Sequence, residues 1–419
     1  MTEADDRPDR PAVVQAQAGA GRRAAGRGAR LAGWPAVTAM RGLYVHVPFC
    51  EKRCHYCDFN TYLLRHGGVE EYLAALAQEA ALYAAREDVA AVPFDTLYVG
   101  GGTPTALGPA QLERLFSAVA PLPLADGAEI TVEANPGTLT RARLEALKAA
   151  GVNRISLGVQ SLDDGLLQRL GRIHGAAQAR ECYERARAVG FDNVNIDLMF
   201  GLPGQDLDAW KRTLDEIIAW GPEHVSCYSL VIEEGTRFGD LHARGELPLP
   251  GEEAELAMFR HAMDALGAAG YEHYEISNWA KPGFASRHNR IYWLNGEWLG
   301  LGPGAHSQWG GERFANERLP HDYARRLAAG ELPVAWREPV DTATAEEDTV
   351  ILGLRLREGV DGQAFERRFG RSLERAFGRE IARLLDLGLV EWRGARLRLT
   401  DRGLPVANQA FQEFIRPRA

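Results

Sequence analysis

The chain has 419 residues, more than one compact domain usually holds, so a large domain with a smaller one appended is expected. Hydrophobic residues make up 46% and charged residues 25%, as in globular proteins, and no run of about 18 apolar residues predicts a membrane span. The formal net charge of −9 gives no general reason to bind nucleic acid and leaves peripheral membrane contact open.

Residues 1–39 are rich in Ala, Gly and Arg and lack apolar periodicity. The pair Arg22-Arg23 resembles part of a twin-arginine signal, but no sustained apolar segment follows it. We predict a disordered extension, or a start codon assigned too early, because Met40 directly precedes the first predicted strand.

From residue 42 onwards, short apolar runs alternate with amphipathic segments. The predicted strands are 43–49, 96–100, 129–134, 154–159, 194–200 and 224–231. The predicted helices between them are 69–86, 109–120, 141–150, 178–189 and 207–219. This order predicts parallel βαβ units in a partial barrel or a doubly wound sheet. Polar, Gly-rich and Cys-rich segments follow most strands, which favours a partial (β/α)6 TIM-like barrel over 40–270 with its site at the carboxyl-end rim.

The remainder of the chain has a different pattern. Residues 271–335 are predicted as a connecting region rich in aromatic residues and Gly. Over 336–419, helices at 346–356, 361–369 and 373–387 precede two short strands around a turn at Arg393-Gly394-Ala395. This pattern predicts a small winged-helix-like α+β domain. Such domains often bind DNA, but the acidic balance favours a packing role.

Three of the five cysteines, Cys50, Cys54 and Cys57, follow the first strand at C-x₃-C-x₂-C spacing. Three thiolates can each bind one iron of a 4Fe–4S cubane and leave the fourth iron open. A zinc knuckle is the alternative, with the fourth ligand from His46, His55 or Asp58. The position on a loop after a barrel strand favours the cluster. The odd cysteine count suits a reducing cytoplasm, and Cys182 and Cys227 are predicted to be buried structural thiols.

With this triplet the sequence resembles the radical S-adenosylmethionine (SAM) superfamily. The resemblance implies that SAM chelates the open iron and that the reduced cluster cleaves it to a 5′-deoxyadenosyl radical. Gly101, Gly102 and Thr103 match the Gly-rich motif that contacts the methionyl amino group in that superfamily.

Further residues match SAM-contacting positions of one subfamily, the oxygen-independent coproporphyrinogen III oxidases and their relatives. These are Tyr44, Tyr56, Glu133, Gln160, Arg172 and Asp197. Taken singly, Gln160, Arg172 and Asp197 are each more often structural hydrogen-bonding residues. Glu133 is the most informative, because a carboxylate inside an apolar strand needs a partner.

Two positions separate branches of the subfamily. The oxidases carry a fourth cysteine where this chain has Phe59, and the segment from His288 to Trp293 resembles the H-N-x-x-Y-W motif of the HemW-type haem chaperones. The resemblance implies haem contact by His288, Asn289 and Tyr292. Imidazole is a common axial haem ligand, whereas for an isolated histidine a hydrogen bond inside a packed aromatic loop is the simpler interpretation. No chemistry is assigned to His306.

The sequence therefore predicts a haem-binding radical SAM protein that passes haem to acceptor proteins, expected to be respiratory ones. The alternative is the oxidase itself, which decarboxylates the propionates of coproporphyrinogen III. A tRNA-modifying enzyme lacks support, because no basic and aromatic surface is apparent.

Overall fold

The computed structural model describes residues 40–416, so the predicted extension over 1–39 lies outside the described residues. All six predicted barrel strands are present: β1 Arg41–Val47, β2 Phe94–Gly101, β3 Leu124–Ala134, β4 Arg154–Gln160, β5 Val194–Phe200 and β6 His224–Ser229. Besides the one-turn helix Glu87–Ala90, the helices of this part are α1 Val69–Ala84, α2 Pro109–Val119, α3 Arg141–Ala149, α4 Asp164–Leu170, α5 Ala176–Ala188, α6 Leu207–Trp220, α7 Arg237–Ala243 and α8 Glu252–Ala268. The predicted alternation of strands and helices is thus confirmed.

Strands β1 to β6 pair with one another in chain order, and every pair is parallel. A doubly wound sheet would reverse its strand order at a switch point near the first strand. The unbroken order therefore confirms the partial (β/α)6 barrel and places the carboxyl ends of all six strands on one rim.

Alternate residues of the strands face opposite sides of the barrel wall. On β1, Leu43, Val45 and Val47 are buried in the apolar core that includes residues of the surrounding helices. Tyr44 and His46 face the lumen and hydrogen-bond to each other at 3.0 Å. The other strands repeat this division, so the outer face of the sheet is apolar and the lumen is lined mainly by polar side chains.

The strands after residue 270 extend the same sheet, which the sequence did not indicate. They are β7 Glu272–Glu275, β8 Asn278–Ala280, β9 Glu297–Leu301, β10 His306–Trp309, β11 Glu312–Asn316 and β12 Val334–Pro339. The order of the sheet is β12-β11-β10-β9-β1-β2-β3-β4-β5-β6-β8-β7. These strands are short and interrupted by Gly-rich turns, so their sequence gives a weak periodic signal. Two helices accompany them, α9 Arg287–Trp293 and α10 Pro320–Ala328.

The C-terminal part contains the predicted helices and hairpin. The helices are α11 Thr342–Gly353, α12 Gly362–Phe369, α13 Leu373–Asp386 and α14 Ala407–Glu413, and the strands are β13 Val360–Asp361, β14 Val390–Arg393 and β15 Arg396–Leu399. An ion pair of 2.8 Å between Arg290 and Glu358 joins this part to α9. The domain boundaries at 270 and 335 stay predictions. Between residues 40 and 416, none of the helices combines the length and apolar composition that crossing a membrane requires.

Candidate functional site

The three cysteines of the triplet lie on the loop that leaves the carboxyl end of β1. All three thiols are half-buried and free, and Cys50 lies in a short parallel strand pair with the segment Tyr62–Leu63. Among residues 40–416, no three His, Cys, Asp or Glu side chains converge on a point where one metal ion could bind. Three thiols on one loop are the protein ligands that a 4Fe–4S cubane takes at three of its corners.

The Gly-rich turn after β2 is bonded directly to the cysteine loop. The Gly102 amide donates to the Val47 carbonyl at 2.8 Å, and the Thr103 amide donates to the Phe49 carbonyl at 2.7 Å. A Cβ on Gly102 would lie only 2.7 Å from each of these two carbonyl oxygens. The Thr103 hydroxyl lies 3.5 Å from the Cys50 Sγ. The backbone approach that requires glycine here holds the turn beside the cluster position.

Glu133 lies near the carboxyl end of β3, with its carboxylate on the lumen side. It accepts hydrogen bonds from the Tyr98 hydroxyl at 2.8 Å and from the Gly101 amide at 3.0 Å. Burial raises the pKa of Glu133 to about 7, and the nearby Asp197 adds to this shift. A carboxyl group that titrates near neutrality at a lumen mouth is suited to pairing with a cationic ligand.

Arg172 brings a positive charge to the thiols. Its Nη1 donates to the Cys54 Sγ at 3.4 Å and its Nη2 donates to the Gly158 carbonyl at 2.6 Å, while its buried Nε has no hydrogen-bond partner among the described residues. Tyr56 hydrogen-bonds to the same guanidinium, and burial raises the pKa of this phenol. Gln160 has a φ of 68°, a left-handed value that costs energy outside glycine and is often retained at functional sites.

Asp197 lies deeper in the lumen, on β5. Ser156 donates to its Oδ2 and Asn195 to its Oδ1, both at 2.8 Å. Burial raises the pKa of Asp197, although these hydrogen bonds oppose the shift. The structure thus gathers the residues that the sequence predicts for SAM around one rim and the lumen beneath it; their contact with SAM stays a prediction.

The segment predicted to contact haem lies at the opposite, amino-terminal end of the barrel. Helix α9 starts there, and the Glu129 carboxylate accepts the amides of Arg287 at 3.0 Å and His288 at 3.1 Å. The His288 Nδ1 lies 2.6 Å from the Thr96 hydroxyl, and its Nε2 lies 2.8 Å from the Tyr292 hydroxyl.

The His288 side chain is only 1% exposed and stacks on the ring of Tyr98. Burial lowers its pKa to about 3, so the ring is neutral, but neither nitrogen is free for iron in this conformation. The arrangement matches the simpler interpretation of a packed, hydrogen-bonded histidine. Haem contact by His288, Asn289 and Tyr292 stays a prediction that requires α9 to move.

One residue to which the sequence assigned no chemistry lies on the cluster side. The His306 side chain is half-buried at the start of β10, and among the described residues its ring nitrogens form no hydrogen bond. Its carbonyl oxygen, in contrast, accepts from the Trp298 indole at 3.1 Å. The Gly-rich segment Gly302-Pro303-Gly304 before it was a weak signal, because such segments usually serve only as turns.

The fold and the thiol-bearing loop define a protein of the radical SAM class. Residues 44–217 match the family described as "Radical SAM superfamily", and residues 341–406 match the "HemN C-terminal domain". Membership of this superfamily implies a 4Fe–4S cluster and SAM. The solved structure of coproporphyrinogen III oxidase (HemN) from Escherichia coli has a TM-score of 0.78 at 24% identity, with 90% of each chain covered, and supports the same fold.

Curated relatives narrow the assignment. The protein named heme chaperone HemW of Bacillus subtilis is 39% identical over 378 residues, which cover 90% of this chain and 99% of the relative. Its namesake in Mycobacterium tuberculosis is 41% identical over 379 residues, which cover 89% of this chain and 94% of the relative. The chain belongs to the HemW family.

Proposed function

We propose that this chain is a haem chaperone that binds haem and delivers it to haem-accepting respiratory proteins. The observation that carries the proposal is the full-length similarity to relatives named heme chaperones, at 39% identity over 99% of the Bacillus subtilis protein. Position 59 supports it, because Phe59 stands where the oxidases carry a fourth cysteine and its side chain is 53% exposed. The coproporphyrinogen oxidase alternative has the weaker support.

Cys50, Cys54 and Cys57 would hold the cluster, which when bound supplies one electron to SAM at an open iron. Burial raises the pKa of the Cys57 thiol to about 12, so a thiolate there needs a neighbouring positive charge. The iron ions and Arg172, which donates to Cys54, would supply that charge.

For SAM we propose a site between the Gly-rich turn and the lumen. Gly101, Gly102 and Thr103 would present backbone groups to the methionyl part, and Glu133, once ionised, would accept a hydrogen bond from its amino group. Around them lie the remaining predicted contacts, Tyr44, Tyr56, Gln160, Arg172 and Asp197. The polar lumen ends at the carboxyl-end rim, where we expect SAM to enter, because ligand sites of such barrels lie at that rim.

We place the protein in the cytoplasm, because all five of its cysteines lie in the described part of the chain and are free thiols. Peripheral contact with a membrane that carries respiratory acceptors is part of the proposal. Nucleic acid is not proposed as a partner, because the net charge is −9.

The experiment compares the two functions in one anaerobically reconstituted, reduced sample. With SAM and coproporphyrinogen III, the proposal predicts that no protoporphyrinogen IX forms. With added haem, it predicts stable, stoichiometric haem binding, measured as a shift of the Soret band. Transfer is then followed as recovery of activity in a haem-free respiratory acceptor. Product formation with no stable haem binding would replace the proposal with the oxidase alternative.

A further inference from the structure

Within the part of the chain that the structure describes, the imidazole of His306 has no hydrogen-bond partner, in contrast to His46 and His55 near the cysteines. The His46 nitrogens lie 3.0 Å from the Tyr44 hydroxyl and 2.9 Å from the Asn60 carbonyl. The His55 nitrogens lie 2.7 Å from the Arg169 carbonyl and 3.0 Å from the Arg237 guanidinium. The half-buried ring of His306 forms no such bond within residues 40–416. Unlike those of His46 and His55, the nitrogens of His306 are therefore available to a ligand.

The backbone places His306 next to the loop that carries the cysteines. Asn60, which follows the triplet, donates from its Nδ2 to the carbonyls of Pro303 and Arg318, each at 3.0 Å. The Gly302 backbone approaches the His46 carbonyl so closely that a Cβ would lie 2.4 Å from that oxygen. His306 therefore projects from a turn that is fixed against both β1 and the cysteine loop.

The surroundings of this turn suit haem, which has a flat apolar ring and two negatively charged propionates. Phe59 precedes Asn60 and is 53% exposed, and Leu319 follows Arg318 and is 55% exposed. These are large apolar side chains on two segments that hydrogen bonds hold together. Burial, then the nearby His46 and then Arg318 lower the pKa of the His306 imidazole to about 4, so Arg318 places a positive charge near this ring. The ring is therefore neutral at physiological pH and its lone pair can bind a metal.

We infer that haem binds beside the cysteine loop with the His306 imidazole as axial iron ligand, Phe59 and Leu319 against the porphyrin, and Arg318 facing a propionate. This inference rests on the proposed function and specifies its binding residue. It places haem on the same side of the barrel as the cluster, whereas His288 lies at the far end with both nitrogens occupied. Neutral imidazole is an ordinary axial ligand of haem iron, and apolar side chains commonly cover the porphyrin face.

The test is a haem titration of the full-length, cluster-reconstituted protein, followed by absorption and electron paramagnetic resonance spectra. The variants are His306→Ala, His288→Ala and, as a matched control, His321→Ala, which removes an exposed histidine whose Nδ1 lies 3.8 Å from Glu71. We expect His306→Ala to weaken haem binding about tenfold or more and to remove the histidine-ligated signature. Added imidazole should restore that signature. We expect His321→Ala to match the wild type.

A second variant and a second measurement distinguish the loss of haem ligation from the loss of folding. Phe59→Ser keeps the imidazole, so it should weaken haem binding while the ligation spectrum stays that of the wild type. Cluster absorbance and far-ultraviolet circular dichroism check that each variant is folded. Wild-type spectra and affinity in folded His306→Ala, or loss of the histidine signature in His288→Ala alone, would overturn the inference but leave the chaperone proposal intact. Absence of stoichiometric haem binding by the wild type would overturn both.

Discussion

Glu79 on α1 is a fully buried carboxylate that holds the turn between β9 and β10. Its Oε2 accepts from the Gly302 amide at 2.8 Å and from the Tyr323 hydroxyl at 2.6 Å, and its Oε1 accepts from the Asn316 side chain at 2.6 Å. Glu79 has no exposed surface, and it forms no ion pair with any residue in the described range. Burial raises its pKa to about 7, although the three hydrogen bonds oppose the shift.

This pKa fixes the sign of a pH effect on stability. Below pH 4.5, the ordinary value for glutamate, the side chain is protonated in both folded and unfolded chains. Between 4.5 and about 7 the folded chain keeps a proton that the unfolded chain has released, so stability falls as pH rises. At about 1.4 kcal/mol for each pH unit, the gap from 4.5 to about 7 corresponds to about 3 kcal/mol.

Glu79→Gln removes this titration while keeping the shape of the side chain. We expect the wild type to lose about 2.5 kcal/mol relative to E79Q between about pH 5 and pH 8. Hydrogen exchange of peptides over residues 298–323, corrected for the intrinsic pH dependence of exchange, gives the local opening free energy. This measurement does not require the whole chain to unfold in two states.

The control is Glu113→Gln, because Glu113 is an exposed glutamate on α2. The difference in local opening free energy between E113Q and the wild type should be the same at both pH values. If the difference between the wild type and E79Q changes by less than about 0.5 kcal/mol over this range, Glu79 is not a buried acid with a raised pKa and the reasoning is refuted.

Three further predictions concern the rim. Cys54→Ala should abolish the broad visible absorbance of the reconstituted protein, whereas Cys182→Ala, which changes a buried thiol of α5, should retain it. Gly102→Ala should lower the cluster content, because its Cβ would lie 2.7 Å from the carbonyl oxygens of Val47 and Phe49. Gly108→Ala is the control, because the nearest atom to its Cβ would lie 3.8 Å away. Equal iron content in the two variants would contradict the prediction. Because the pKa of Glu133 is raised to about 7, we expect SAM to bind more tightly as pH rises from about 6 to 8, by up to about tenfold, and we expect Glu133→Gln to remove this contribution. Calorimetric titration at each pH measures the affinity, and an unchanged slope in the variant would argue against a contact between Glu133 and the methionyl amino group.

Much of the rim was predictable because its signals are local. The spacing of Cys50, Cys54 and Cys57, the glycines after β2 and the carboxylate of Glu133 each follow a strand or lie within one, and parallel strands place such features on one side. The contact between Arg172 and Cys54 joins residues far apart in sequence and was not predicted, because the resemblance to a known subfamily gave Arg172 only as a SAM contact.

The two histidines His288 and His306 show most clearly where the sequence and the tertiary structure point to different residues. His288 stands in a haem-associated motif and His306 in a Gly-rich turn, so sequence favoured His288. Burial and hydrogen bonding depend on which segments pack together, and the structure engages both nitrogens of His288 while it leaves those of His306 without hydrogen bonds among the described residues.

The sequence by itself determined the strand and helix order of the barrel, the thiol-bearing loop and the helices and hairpin of the C-terminal part, because apolar periodicity and turn residues act over short distances. The tertiary structure alone decided that β7 to β12 continue the same sheet, that the lumen is polar, and that Glu79 holds the turn before His306. The physical reason is that strand register and the partners of buried polar groups are set by contacts between distant segments, and no single segment encodes them.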